Sequence, residues 1–225
     1  DIRKKEIYLL KNADLVIATA PPLLETAKKY NKNVKLIQNG AEYEHFVKAR
    51  KKRKRPADMP SGKPIIGYYG AIWNWFDDEL LLYLAKERPN YDFVLIGTIL
   101  EKLRGKFSGQ KNIHYLGEKK YGVLPNYLSY FNVAIIPFKH SNLTKSVNPV
   151  KIYEYLAGGK SVVYSGLQGM ADFPNSYEAN ERKEFLKCVD KQLGARLDST
   201  EADKFLKNNN WKKRYVVLSR ELKRI

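Results

Sequence analysis

Cys188 is the only cysteine in this 225-residue chain, so an internal disulfide framework and a thiolate metal cluster are both excluded. Histidine is nearly as scarce. His45, His114 and His140 lie far apart without metal-ligand spacing, and no metal is expected. Apolar runs are short: LVIA from Leu15 and VAIIPF from Val133 are of strand length, far below the roughly 20 residues of a membrane span. Asp1 opens a polar amphipathic segment, not the basic-then-apolar pattern of a secretory signal. No internal repeat with a period of about 20 to 50 residues is present. What remains is a soluble globular chain, 44% hydrophobic and therefore able to build an ordinary core, and compatible with the cytoplasm.

Acidic residues are also in short supply, 24 against 41 Lys and Arg, for a net charge of +17. The excess is concentrated in KARKKRKR, Lys48 to Arg55, which carries seven positive charges in eight residues. Such a block is not expected to fold on itself. It reads either as a solvated connector or as a patch attracted to an anionic membrane surface or polyanion. No aromatic residues are interleaved with it and no nucleic-acid-binding signature accompanies it, so nucleic acid is not an expected partner.

Residues 2 to 11 read as a helix, DLVIAT (Asp14 to Thr19) as a buried strand, PPLLETAKKY as a helix begun by prolines, and VKLIQNG (Val34 to Gly40) as a strand into a turn. Beyond Gly62 the pattern becomes regular. PIIGYYG, DFVLIG, NIHYLG, NVAIIPF and KSVVYS are near-continuous apolar strands, separated by helices at Asp77 to Arg88 and Leu124 to Phe131 and by a polar segment before Asn112. This alternation predicts an α/β fold with a doubly wound parallel sheet, covered on both faces. Ligands then sit at the carboxyl ends of the strands, in the loops after Tyr69, Ile96, Leu116 and Pro137.

NPVKIYEYLAGGKSVV, Asn148 to Val163, carries the most chemistry: a polar loop with proline, a short helix bearing Glu154, a Gly-Gly stop and a strand. A helix N-terminus offers free N–H groups to a phosphate, and a carboxylate on the same helix accepts the hydroxyls of a ribose. The aromatics around Gly70 (Tyr68, Tyr69, Trp73, Trp75 and Phe76) read either as core or as a wall facing a sugar or base. Asp77 and Asp78 read as caps of the following helix.

In this order, ADLVIATAPPLLETA, QNGAEYEHF, GYYGAIWNWFDDELL, FVLIG, NIHYLG, VAIIPF and NPVKIYEYLAGGKSVV resemble the GT-B glycosyltransferases of family 4, from about Ala13 to Ser165. The flavour is that of bacterial enzymes of teichuronic-acid and surface-polysaccharide assembly. The resemblance implies one GT-B half, Rossmann-like, at residues 62–205, preceded by a βαβ remnant of an acceptor-side domain (1–47) and a basic linker (48–61). Residues 206–225 correspond to the crossover helix, and the remainder of the acceptor domain is expected elsewhere in a longer chain or in another chain. It further implies a donor-binding half of a retaining transferase at the inner face of the plasma membrane, with a lipid-linked or polysaccharide acceptor. The donor is a nucleoside-diphosphate sugar, UDP favoured, and no cofactor is required.

Residue by residue, the resemblance implies that Glu154 binds the ribose, that Gly70 and Ala71 approach the diphosphate, and that Asn148 and Val150 face sugar and phosphates through their backbone. The loop after Leu116 sits where the base is held by backbone contacts, Gly97 opens a further loop of the donor crevice, and Trp73 is the candidate wall. Two departures stand out. The family's paired glutamates are spaced E-x7-E, and this chain has Ser146 in place of the first. The basic residues that neutralise the diphosphate after the first strand are absent from GAIWNWFDD, leaving Lys151, with Lys145 behind it, as the replacement cation. A non-catalytic scaffold and, more remotely, a nucleotide-sugar epimerase stay open as alternatives.

Overall fold

The computed structural model describes residues 1–195, 197 and 199–225. Its elements, in chain order, are α1 (Ile2–Asn12), β1 (Val16–Ala18), α2 (Pro21–Lys28), β2 (Val34–Leu36), α3 (Tyr43–Phe46), β3 (Ile65–Tyr69), α4 (Asp78–Glu87), β4 (Asp92–Ile96), α5 (Glu101–Phe107), β5 (Ile113–Tyr115), α6 (Leu124–Leu128), β6 (Val133–Pro137), α7 (Asn142–Lys145), α8 (Val150–Ala157), β7 (Ser161–Ser165), β8 (Ser176–Glu178), α9 (Arg182–Leu193), α10 (Ser199–Asn208) and α11 (Trp211–Leu222).

Six strands form one parallel sheet in the order β5-β4-β3-β6-β7-β8. The sequence therefore runs outward from β3 to β5, returns to the middle, and runs outward again from β6 to β8. This is the doubly wound arrangement that the apolar runs predict. Every residue of β3, β4, β6 and β7 is buried, because helices cover both faces. α8 is buried almost all round, with Ile152, Tyr153, Tyr155 and Leu156 each no more than 1% exposed, and only its first turn reaches the surface.

The amino-terminal piece is a separate two-stranded parallel sheet, β1 with β2, crossed by α2. It is tied to the larger unit through residues 39 to 41, among other contacts. Asn39 donates to Asn148 through its backbone N–H (2.9 Å) and its amide (2.5 Å), Ala41 forms a bridge with Asn210, and Arg214 Nε donates to the Asn39 carbonyl (3.1 Å). α11 lies along this piece through a Lys35–Glu221 ion pair at 3.2 Å.

The structure differs from sequence expectation in three places. The polar segment before Asn112 contains α5, whose Leu103 and Phe107 are buried although Gly105 and four charged residues mask the pattern. β8, α9 and α10 extend the sheet and its cover beyond the last expected strand. The basic run also does not stand off as a solvated block. Val47–Arg50 is a short 3-10 turn, Ala49 is 1% exposed, and Arg50 donates to the Ala157 carbonyl (2.9 Å) and pairs with Asp203 through both terminal nitrogens. A carboxylate from α10 and a helix-end carbonyl neutralise the arginine, so this part of the run docks. Among the described residues no helix is long and apolar enough to cross a membrane.

Candidate functional site

The strand order reverses between β3 and β6, where a doubly wound sheet opens a crevice. The two strands splay there. Only Ile66–Val133 and Gly67–Ala134 are in register, whereas β3 with β4 and β6 with β7 each keep five pairs. Tyr69 is left without a partner on the β6 side, and the buried Tyr155 hydroxyl takes over, accepting from Tyr69 N–H at 2.8 Å and donating to the Tyr69 carbonyl at 3.3 Å. A side chain of α8 thus holds the end of β3 where the sheet stops doing so.

Beyond this point lies a cleft of about 190 Å3, walled by Tyr69, Gly70 and Ala71 after β3 and by Ile96, Gly97 and Thr98 after β4. Glu118, Lys119 and Leu124 close it on the β5 side. Gly70 and Gly97 carry φ of +136° and +132°, in the region that L side chains avoid. The two turns touch, since a methyl carbon built at Gly97 would fall 2.2 Å from the Gly70 carbonyl oxygen.

Lys151 and Glu154 stand one turn apart on α8. The Lys151 ammonium lies over the rings of Tyr68 (5.2 Å) and Phe138 (5.3 Å), and a methyl carbon built at Gly70 would meet Lys151 Cε at 2.7 Å and Nζ at 2.9 Å. The amine therefore rests against the Gly70 turn. Desolvation pulls it down to about 8, against the pull of the Glu154 charge. Glu154 is 6% exposed, and burial pushes its carboxyl up to about 7, opposed by Tyr69, Lys151 and Tyr121. Among the described residues the buried Tyr69 hydroxyl makes no well-formed hydrogen bond, and Glu154 is the neighbouring carboxylate that acts on it. Tyr121, stacked on His45 with ring centres 4.9 Å apart, completes the surroundings of the carboxylate. The first turn of α8 has no side-chain cap, because Pro149 occupies the N-cap. Its leading N–H groups, those of Val150 and Lys151, are the orphan donors of a helix start.

Of the residues expected from sequence, Gly70, Ala71 and Gly97 line the cleft, and Lys151 and Glu154 adjoin it behind Gly70 and Tyr69. Trp73, 42% exposed and stacked on Trp75, borders it by donating from Nε1 to Thr98 Oγ1 at 3.3 Å. Leu116 lies just behind, its N–H bonded to the Leu95 carbonyl. Ser146 ends α7, its hydroxyl donating to the Asn142 carbonyl at 3.0 Å, and Lys145 is exposed. Asp77 caps α4, as read, by accepting from Leu80 N–H, whereas Asp78 is buried between Lys106 and Lys139. Tyr121 and His45 escaped the sequence reading, since nothing in spacing links positions 45, 121 and 154.

Asn148 has a structural task for its side chain. Its Oδ1 accepts from Asn39 N–H and from the Tyr153 hydroxyl at 3.0 Å, joining the amino-terminal piece to the start of α8. Asn148→Ala leaves two donors unpartnered in a site that is 3% exposed, so a loss of about 2 to 4 kcal/mol in unfolding free energy is expected. Urea denaturation would read this as a lower midpoint at unchanged slope, and limited proteolysis as faster cleavage near residues 38–41.

No family model matches the chain. In an alignment of 213 positions that covers 88% of this chain, it is 25% identical to "Putative teichuronic acid biosynthesis glycosyltransferase" of Bacillus subtilis (strain 168), of which that match covers 53%. An α,α-trehalose-phosphate synthase (UDP-forming) from Burkholderia vietnamiensis superposes with a TM-score of 0.80 at 13% identity, over 99% of this chain and 64% of that one. Anabaena HepE in complex with UDP-glucose gives 0.77 at 16% identity, over 99% and 67%. The fold is that of the GT-B glycosyltransferases. The chain spans about half the length of its curated relative and about two thirds of these structures, and its six-stranded sheet matches one Rossmann-like half of the GT-B architecture.

Proposed function

We propose that this chain is the donor-binding half of a retaining glycosyltransferase that uses a nucleoside-diphosphate sugar to build a bacterial surface polysaccharide or glycolipid. The observation that carries the reading is the meeting of the Lys151 amine and the Gly70 turn at the switch point, with Glu154 one helical turn further in. A diphosphate leaving group needs a cation to stabilise its developing charge, and Lys151 with the open N–H groups of α8 supplies it. Glu154 accepts the ribose hydroxyls, Gly97 lets the base approach the backbone, and Trp73 closes the rim. Support comes from HepE, whose structures hold UDP and UDP-glucose in the same fold, and from the teichuronic acid relative.

The acceptor, lipid-linked or polysaccharide, would meet the rest of an amino-terminal domain of which 1–47 is part, with 48–61 as linker, 62–205 as donor domain and 206–225 as crossover helix. The protein would work in the cytoplasm, at the inner face of the plasma membrane. Calorimetric titration with UDP is expected to show one saturable site, with GDP and ADP weaker. Absence of binding to all three would overturn the reading. Ser146, its hydroxyl turned back onto α7, favours a second reading in which the donor binds without transfer. Hydrolysis of UDP-sugars by the full-length protein separates the two.

A further inference from the structure

At the opposite end of the sheet, where β3, β6 and β7 begin, a cavity of about 310 Å3 gathers four cations: Lys52 and Arg55 from the basic run, Lys63 before β3, and Lys160 before β7. No carboxylate lines it, and among the described residues none of the four is in an ion pair. Arg50, Arg88, Lys106, Lys119, Lys139 and Arg182 each face an acid, and these four cations do not. Their bonds go to backbone carbonyls instead. Lys160 Nζ donates to the Ser129 carbonyl at 3.3 Å, Lys63 Nζ to that of Pro89 at 2.8 Å, and Arg55 to that of Pro60 while lying 4.5 Å over the Tyr130 ring.

We infer that this cavity is a phosphate-binding site, separate from the donor cleft, built by Lys52, Arg55, Lys63 and Lys160 for the phosphate of a small ester or an anionic lipid headgroup. Like charges converging without a counter-charge destabilise one another, and an anion placed among them removes that repulsion. Burial already pulls the Lys160 amine down to about 8, as expected for a cation partly removed from water with a carbonyl but no counter-charge beside it. Arg55 is fixed over Tyr130, so its remaining N–H groups are preorganised, and the exposed Lys52 and Lys63 supply the rim.

The test uses the whole chain with inorganic phosphate and, separately, flotation with vesicles of phosphatidylglycerol and phosphatidylcholine against phosphatidylcholine alone. Saturable phosphate binding is expected, weakened about tenfold by Lys160→Gln and by the exposed pair Lys52→Gln/Lys63→Gln, and weakened by added salt. UDP binding should be unchanged in each variant, which also reports that the fold survives. Flotation with phosphatidylglycerol that is lost in the variants identifies a lipid headgroup as the source; phosphate binding without flotation identifies a soluble ester. Binding of neither probe, or binding that survives both sets of substitutions, overturns the site.

Discussion

Glu154→Ala lowers affinity for UDP by roughly 100-fold, about 3 kcal/mol, if its carboxylate accepts both ribose hydroxyls, because hydrogen bonds to a charged group are worth about 1.5 to 3 kcal/mol each. A nucleotide lacking one hydroxyl separates this contact from a general loss of shape. 2′-Deoxy-UDP should bind the parent protein more weakly than UDP does, and the Ala variant should not distinguish the two. Equal affinity of parent and variant for UDP would remove Glu154 from the site. The pH profile follows from two shifts. Burial raises Glu154 from 4.5 to about 7 and lowers Lys151 from 10.5 to about 8. For stability, the contribution of Glu154 is full below about 4.5 and lost as pH rises through about 7, whereas that of Lys151 is present above about 10.5 and lost as pH falls through about 8. Donor binding needs the charged form of each: the carboxylate to accept hydroxyls, the ammonium to hold phosphate. Affinity for UDP should therefore peak between about 7 and about 8 and fall on both sides, and Glu154→Gln should flatten the acid limb and, by removing the charge that raises Lys151, move the basic limb to lower pH. Because the two groups attract each other, the limbs belong to the pair and not to single residues.

Glu154 was legible in sequence because one contiguous string, a proline loop into a short helix ended by glycines, carries it. The four central strands were legible for a related reason: a strand buried on both faces must be apolar at every position, and IIGYY, DFVLI, VAIIP and SVVYS come close to that. The edge strand SYE has no such pattern, because it is buried on fewer sides, and only its register with Val162 to Tyr164 makes it a strand. Contacts over long separation left no trace. Tyr155 replaces the β6 rung for Tyr69 across 86 residues, and Arg50 finds Asp203 across 153, which turns part of a charged run into a docked turn. The environment of Glu154 is likewise assembled from positions 42, 69, 121 and 151, so its elevated pKa follows from the fold and from no local motif.

Gly97→Ala should be the most damaging single methyl group in the donor cleft. At φ +132° an alanine is strained by about 1 to 3 kcal/mol whatever surrounds it. Here the added carbon also falls 2.2 Å from the Gly70 carbonyl oxygen and 2.8 Å from its carbonyl carbon, which are backbone atoms and cannot rotate away as a side-chain end would. Either the Gly70 turn shifts or the end of β4 does. Both movements disturb hydrogen bonds that hold the cleft, those of Gly70 N–H to the Ile96 carbonyl (2.8 Å) and Gly97 N–H to the Gly117 carbonyl (2.9 Å). With overpacking added, a loss of about 3 to 5 kcal/mol in stability is expected, and UDP affinity should drop even in molecules that remain folded, because Lys151 rests against the displaced turn. Gly105→Ala is the matched control. That glycine lies in α5 with nothing near its missing Cβ, so the same methyl group should stabilise the helix by about 0.5 to 1 kcal/mol and leave UDP binding alone. Chemical denaturation and titration of the two variants side by side would show whether the contact between the Gly70 and Gly97 turns, and not loop flexibility in general, sets the shape of the donor cleft.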